Sequence, residues 1–228
     1  MEGLMKGKRG LIMGIANDHS IAWGIAQTLA AHGAEMAFTY QGEAFGKRVA
    51  PLAEKGGAKL LLPCDVEDSA SVASVFDALK SEWGSMDFLV HAIGFSDKNE
   101  LKGLYADTSR DNFTRTMVIS CFSFTEVARH AAELMTNGGS LLTLTYAGSV
   151  RVMPNYNVMG VDTSERAFAR TGAHAGGRWH CRRALHVLIP AAQLTAAPPC
   201  NAGRDWRLRA LYAFRPRQRR YGRSAERR

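Results

Sequence analysis

A doubly wound α/β fold built on a parallel sheet is what this 228-residue chain predicts, and three observations carry that prediction. Short apolar runs alternate with amphipathic stretches from residue 10 to residue 145. The first run is followed by a small-residue turn that opens a helix. An apolar content of 46% is enough to cover both faces of such a sheet. Gly10 to Met13 reads as the first buried strand, after a basic lead. Ser20 to His32 follows as a helix, with Ser20 as N-cap and Gly33 just past its end. Glu35 to Tyr40 is the second strand, and Glu43 to Glu54 a second helix, kinked or interrupted at Pro51. Lys59 to Pro63 is the third strand. Ala70 to Trp83 is helical with Ser69 as cap, and Phe88 to Ala92 is the fourth strand. One long helix over 110–135 precedes the fifth strand, Ser140 to Thr145. Right-handed crossovers at this spacing give a Rossmann-type sheet.

The charge is divided unevenly. Up to Val161, 14 Lys and Arg stand against 17 Asp and Glu, a net −3. From Asp162 onward 15 Arg and no Lys stand against 4 acids, a net +11. The formal +8 of the whole chain therefore averages two unlike segments. They read as a Rossmann-type domain over 1–161 and an Arg-rich tail over 162–228. Cys64, Cys121, Cys181 and Cys200 have no paired or metal-like spacing. A reduced cytoplasmic setting and no metal site are expected, with Cys64 and Cys121 as core residues. The basic N-terminus and the short run after it read as neither a secretory signal nor a membrane span.

The turn after the first strand runs from Gly14 to Gly24. A dinucleotide pyrophosphate needs backbone N–H groups at a helix N-terminus and small residues that admit the ligand. Gly14 and Ala16 suit the turn, Ser20 and Ile21 begin the helix, and Gly24 permits close helix–strand packing. The alternative is an ordinary strand–helix loop, since G-x-G-x-x-G is absent. Where an acid would bind the adenosine ribose stands Gln41, with Lys47 and Arg48 a turn or two further on. This pattern favours NADH over NADPH. Asp65 and Val66 follow the third strand, where an adenine ring would lie; alternatively Asp65 caps the next turn.

After the fourth strand comes His91-Ala92-Ile93-Gly94-Phe95, and after the fifth come Tyr146 and, ten residues on, Tyr156 in Pro-Asn-Tyr-Asn-Val-Met-Gly. With the phosphate turn, these motifs make residues 3–161 resemble bacterial NADH-dependent enoyl-acyl-carrier-protein reductase, within the short-chain dehydrogenase superfamily. The resemblance implies that Tyr156 donates a hydrogen bond to the thioester carbonyl oxygen of a trans-2-enoyl chain carried by acyl carrier protein. The enolate is thereby stabilised as hydride reaches the β-carbon. It also implies that Tyr146 replaces the superfamily's serine and lines the acyl pocket. Gly14, Ser20, Ile21, Gln41, Asp65, Val66 and Ile93 match cofactor positions, Ala16 and Gly94 belong to the turns around the cofactor, and Ser96 lies where substrate contacts fall. Homotetramers are implied too, assembled partly through the helix over 110–135 and partly through the helix after Tyr156.

The match stops at the charge boundary. Thr163 stands where the family carries a lysine that holds the nicotinamide ribose. The family's sixth strand, substrate loop and seventh strand have no counterpart in the reading of the tail. This leaves an unpaired sheet edge, poor solubility and little turnover as the expectation. Codons permitted for Asp205 to Arg223, read from their second base, give Ala-Leu-Tyr-Thr-Leu-Ser-Asp-Leu and a later Val-Thr-Gly. Both resemble the family's late helix and the segment C-terminal to it, so the tail reads as frame-shifted. Other readings are a ketoacyl reductase, a non-catalytic NAD-binding protein, and an Arg-rich nucleic-acid-binding tail on an inert scaffold.

Overall fold

The computed structural model describes residues 3–149 and 151–162, together with the backbone of 181–189. Six parallel strands form one sheet: β1 (Arg9–Met13), β2 (Glu35–Tyr40), β3 (Leu60–Pro63), β4 (Phe88–His91), β5 (Gly139–Tyr146) and β6 (Cys181–Ile189). Their spatial order is β3-β2-β1-β4-β5-β6. The chain winds outward from β1 to β3, then returns past β1 and winds the other way from β4. The connections therefore diverge between β1 and β4, and a crevice opens beyond the carboxyl ends of these two strands. Leu11 pairs with Leu89 and Ile12 with Val90 at this junction.

Helices α1 (Ile21–Ala31), α2 (Gly42–Lys55), α3 (Ser69–Trp83), α4 (Arg110–Met117) and α5 (Ser123–Leu134) connect the strands. The two-residue alternation along each strand divides the core into two layers. Leu11, Met13, Leu89 and Leu141 pack with Val75, Leu79, Val127 and Ala131 of α3 and α5. Ile12, Phe38, Phe88, Val90 and Leu142 pack with Trp23, Ile25 and Leu29 of α1. All four of the latter group's β1, β2 and β4 members are fully buried, which ties the apolar runs of the sequence to a sheet covered on both faces.

Five expectations change. Asp68, not Ser69, caps α3, because its extended backbone lets Oδ1 accept the Ala70 N–H at 2.9 Å while Ser69 is already helical. α2 passes through Pro51 to Lys55 without interruption. The helix expected over 110–135 is not regular: Val118–Phe122 form a π turn between α4 and α5. Cys121 sits in that turn and is only half-buried, whereas Cys64 is buried as expected. The missing sixth strand is supplied by β6, parallel to β5 from Gly139↔Cys181 to Tyr146↔Ile189. Its Ala-Leu-His-Val-Leu-Ile run has strand character that the surrounding arginines disguise, and it closes the β5 edge expected to be bare. Among the described residues no helix is long and apolar enough to cross a membrane.

Candidate active site

Every sequence-predicted site residue in the described region lies at the carboxyl end of the sheet. Gly14 leaves β1 with a φ of +93°, and a Cβ placed there would stand 2.1 Å from the Ala92 carbonyl oxygen. Glycine is thus required twice over, by the left-handed backbone and by the approach of the β4 exit. The two exits are also joined by an Ala92 N–H to Met13 carbonyl bond of 3.1 Å. Ser20 occupies the N-cap position of α1 but makes no capping hydrogen bond to the helix. Its Oγ instead accepts the Ala16 and Asn17 N–H groups, each at 3.0 Å, and donates to Asn17 Oδ1. The hydroxyl is therefore a staple that folds the loop over 14–20. The first turn of α1, from Ile21, carries no acidic residue, and its leading N–H groups face beyond the helix with no intrahelical acceptor. Small residues, a folded loop and uncompensated amides at the β1–β4 crevice fit a dinucleotide pyrophosphate.

Gln41 is exposed at the N-cap position of α2 and makes no capping bond. Arg48 lies over the Phe45 ring at 5.7 Å. Asp65 Oδ1 accepts the Glu67 N–H at 2.9 Å, while the Asp65 N–H donates to Ser71 Oγ. The turn-capping alternative for Asp65 is what the geometry shows, leaving Oδ2 available to a ligand. Val66 is buried beside it. Burial first, then the neighbouring Asp65, Glu126 and Asp68 carboxylates, push the Cys64 thiol up to about 11, so it stays protonated at neutral pH and serves as an apolar filler.

The β4 exit is held from outside. Ser123 Oγ donates to the Ile119 carbonyl at 2.6 Å, so His91 Nε2 donates to Ser123 Oγ at 2.9 Å, which fixes the tautomer of a fully buried ring. Ile93 is half-buried and Gly94 exposed. Ser120 Oγ receives the Phe95 N–H at 2.9 Å and donates to the Phe95 carbonyl at 3.2 Å. Ser96, expected to touch substrate, donates to Asn112 Oδ1 at 3.3 Å, and the Asp97 N–H donates to the same oxygen at 2.9 Å. Asn112 Nδ2 in turn donates to Glu100, whose carboxylate also receives the Ser109 N–H and hydroxyl, each at 2.8 Å. These Ser109 bonds, the backbone one foremost, lower the Glu100 pKa.

Tyr146 ends β5 rather than following it, and its ring is buried. Tyr156 meets it edge to face, with ring centroids 4.9 Å apart at 62°. Gly148 makes this meeting possible, since a Cβ there would stand 2.8 Å from the Tyr156 ring. Asn155 and Asn157 flank Tyr156 with φ of 55° and 29°, the left-handed region that Asn tolerates better than most residues. Asn157 Nδ2 donates to the Glu100 carbonyl at 2.9 Å, laying the 97–104 loop beside the tyrosine. Thr163, Cys200 and, apart from Asp162 and the backbone of 181–189, the whole tail over 162–228 that reads as frame-shifted lie outside the described residues.

Ser120, Asn112, Asn157 and Gly148 are site residues that sequence reasoning missed. The asparagines on either side of Tyr156 carry the only local signal, a residue type that accepts unusual backbone. The loop after β1, the Asp65–Val66 turn, the β4 exit and the tyrosine pair therefore share the carboxyl edge of one sheet. No His, Cys, Asp and Glu cluster among the described residues could hold a metal.

The family model described as Enoyl-(Acyl carrier protein) reductase matches residues 14–180. The chain is 76% identical over 161 residues to enoyl-[acyl-carrier-protein] reductase [NADH] 2 of Rhizobium meliloti, covering 71% of this chain and 60% of that one. It is 57% identical, at a TM-score of 0.74, to the Anaplasma phagocytophilum reductase crystallised with NAD, covering 76% of this chain and 67% of the other. It is 40% identical, at a TM-score of 0.78, to the Bacillus cereus reductase in complex with NADP+ and an indole naphthyridinone, covering 87% and 79%. The chain spans about 60% of the length of the curated relatives it matches.

Proposed function

Given that the chain belongs to the enoyl-(acyl carrier protein) reductase family, we propose that its site is built for reducing the double bond of trans-2-enoyl thioesters on acyl carrier protein, with NADH as reductant. The observation that carries this reading is the Tyr146–Tyr156 pair, seated 4.9 Å apart at the end of β5. The bound cofactor supplies a hydride. The residues that would hold it are Gly14, Ala16 and the Ile21 amide at the pyrophosphate, Gln41 at the adenosine ribose, Asp65 and Val66 at the adenine, and Ile93 and Gly94 at the nicotinamide end. Ser20 shapes the loop that receives it.

The chemistry asked of the protein is modest in bond-making and exacting in electrostatics. As hydride adds to the β-carbon, the C=C electron pair moves toward the thioester, and negative charge gathers on its carbonyl oxygen. The Tyr156 hydroxyl donates to that oxygen, and a proton is then taken up at the α-carbon. Such a donor is effective because packing fixes it before reaction. Tyr146 and Gly148 supply that packing, and Asn157 sets the neighbouring loop. Exposed apolar side chains on the same loops, Phe95, Leu104 and Tyr105, suit an acyl chain. Ser96 contributes to this side through the loop it anchors.

Crotonyl thioester should drive NADH oxidation and acetoacetyl thioester should not; the opposite preference would favour a ketoacyl reductase. Tyr156→Phe should lower kcat by about 10²–10³ while NADH affinity, read by fluorescence titration, stays within a factor of about two. NADH binding without turnover by the unaltered chain would instead support a cofactor-binding protein, a reading for which Thr163 in place of the lysine is the motive. Assembly into homotetramers through α4 and α5 belongs to the same proposal and is checked by sedimentation. So does a change of reading frame past residue 161, supported by the change of composition there and by the shifted reading of Asp205 to Arg223. The gene's nucleotide sequence tests it, and an alternative frame without reductase sequence would end it.

A further inference from the structure

We infer that Arg115 is a positioning residue that clamps the adenine-side and nicotinamide-side loops into one unit, an inference that rests on the cofactor reading above for its functional consequence. Arg115 lies in the last turn of α4 and reaches both loops at once. Toward the β3 exit, its Nε donates to both carboxylate oxygens of Glu67 at 2.9 and 3.2 Å, and its Nη2 donates to Oε2 at 2.8 Å. Toward the β4 exit, the guanidinium lies 4.7 Å from the centroid of the Phe95 ring. A planar cation can present its edge to a carboxylate and its face to an aromatic ring together; an ammonium group lacks that geometry.

What makes this a clamp is that both partners are tied to the site backbone. The Glu67 N–H is held by Asp65 Oδ1, and the Asp65 N–H by Ser71 of α3. The Phe95 N–H and carbonyl are held by Ser120 of the π turn. One chain of contacts thus runs Ser71, Asp65, Glu67, Arg115, Phe95, Ser120. It spans from the loop placed at the adenine to the loop placed at the nicotinamide. The Arg115 side chain is half exposed, so each contact alone is weak. The use of the arrangement is to fix the separation of two loops that sit on different strands, β3 and β4, with β2 and β1 between them in the sheet.

The test uses the full chain and two readouts. The first is amide exchange without any ligand. Arg115→Ala should speed exchange at both Glu67 and Phe95 about five- to tenfold, while His19, whose N–H is bound to Asn17 in the phosphate loop, keeps its rate. Arg115→Lys should recover part of the Glu67 protection and little of that at Phe95. The second readout is binding of NADH and of ADP-ribose, which lacks the nicotinamide. Arg115→Ala should weaken NADH about five- to thirtyfold and ADP-ribose no more than about threefold, from two lost contacts of ordinary strength. Acceleration at only one amide, or at neither, overturns the clamp, and so does equal weakening of the two ligands. If the unaltered chain binds neither ligand, the cofactor reading fails, and the exchange result still decides whether the clamp exists.

Discussion

The loop after β1 and the loop after β4 face each other across the same crevice, yet they are held by opposite means. The first is wired locally. Ser20 gathers the amides of residues three and four positions before it, and Asn17 receives the His19 N–H two positions on. The second depends on distant chain. Phe95 is held by Ser120, Asp97 by Asn112, and the Glu100 carbonyl by Asn157, at separations of 25, 15 and 57 residues. A loop of the first kind forms whenever its own sequence is present. A loop of the second kind takes shape only after α4, the π turn and the Tyr156 segment have docked, so the β4 side of the crevice is the more cooperative half.

Three substitutions or conditions probe that contrast. The largest effect is expected at the point where the two loops touch. Gly14→Ala meets both a left-handed backbone and the Ala92 carbonyl, and should cost about 3 kcal/mol in denaturant unfolding. A loss below about 1 kcal/mol would show that the β4 exit yields easily, and the contrast between rigid and docked loops would weaken. Ser120→Ala comes next. It strips Phe95 of two hydrogen bonds to a fully buried hydroxyl and should cost about 1–2 kcal/mol. The Phe95 amide should lose exchange protection while the Ala16 and Asn17 amides keep theirs; loss at all three would mean that the loops are not separately wired. The smallest effect is electrostatic. Because the Ser109 bonds lower the Glu100 pKa, the contribution of Glu100 is present above the unfolded-state pKa and vanishes as pH falls through the folded value. Ser109 amide protection should therefore fade on acidification below the usual carboxylate range, and Glu100→Gln should flatten that profile. An unchanged acid response in the variant would assign the titration elsewhere.

The same contrast explains how much is legible in the sequence. The strand–helix alternation, the two-faced core and the small-residue turn that opens α1 follow from periodicities and spacings a few residues long, and the structure shows each of them. Gly14 is legible because a turn after a first strand asks for it. Asp65 is legible only as two alternatives, and its Asx turn to Glu67 realises one of them while leaving Oδ2 for the other. Ser20 reads as a helix cap because its position allows one, but the loop amides compete successfully for the same oxygen. Ser120 and Asn112 are invisible, since a serine and an asparagine within a helix carry no mark of the backbone they bind 15 to 25 residues away. β6 is hidden for a different reason: the arginine-rich composition around 181–189 outweighs the short apolar run inside it.

The π turn over 118–122 sets the phase of everything after it. Asn112, Thr116, Ser120 and Phe124 are all buried at a constant spacing of four. Twelve residues of regular helix turn through roughly 1200°, which would leave Phe124 about 120° around from Asn112. One wide turn absorbs a single extra residue, about 100° of rotation. The four side chains therefore stay within roughly 20° of a single line, and one continuous stripe serves two clients, the β4 loop at its start and the sheet at its end. Regular winding through those five residues would keep α4 in place and swing Ser123 away from His91 and Phe124 out of the core.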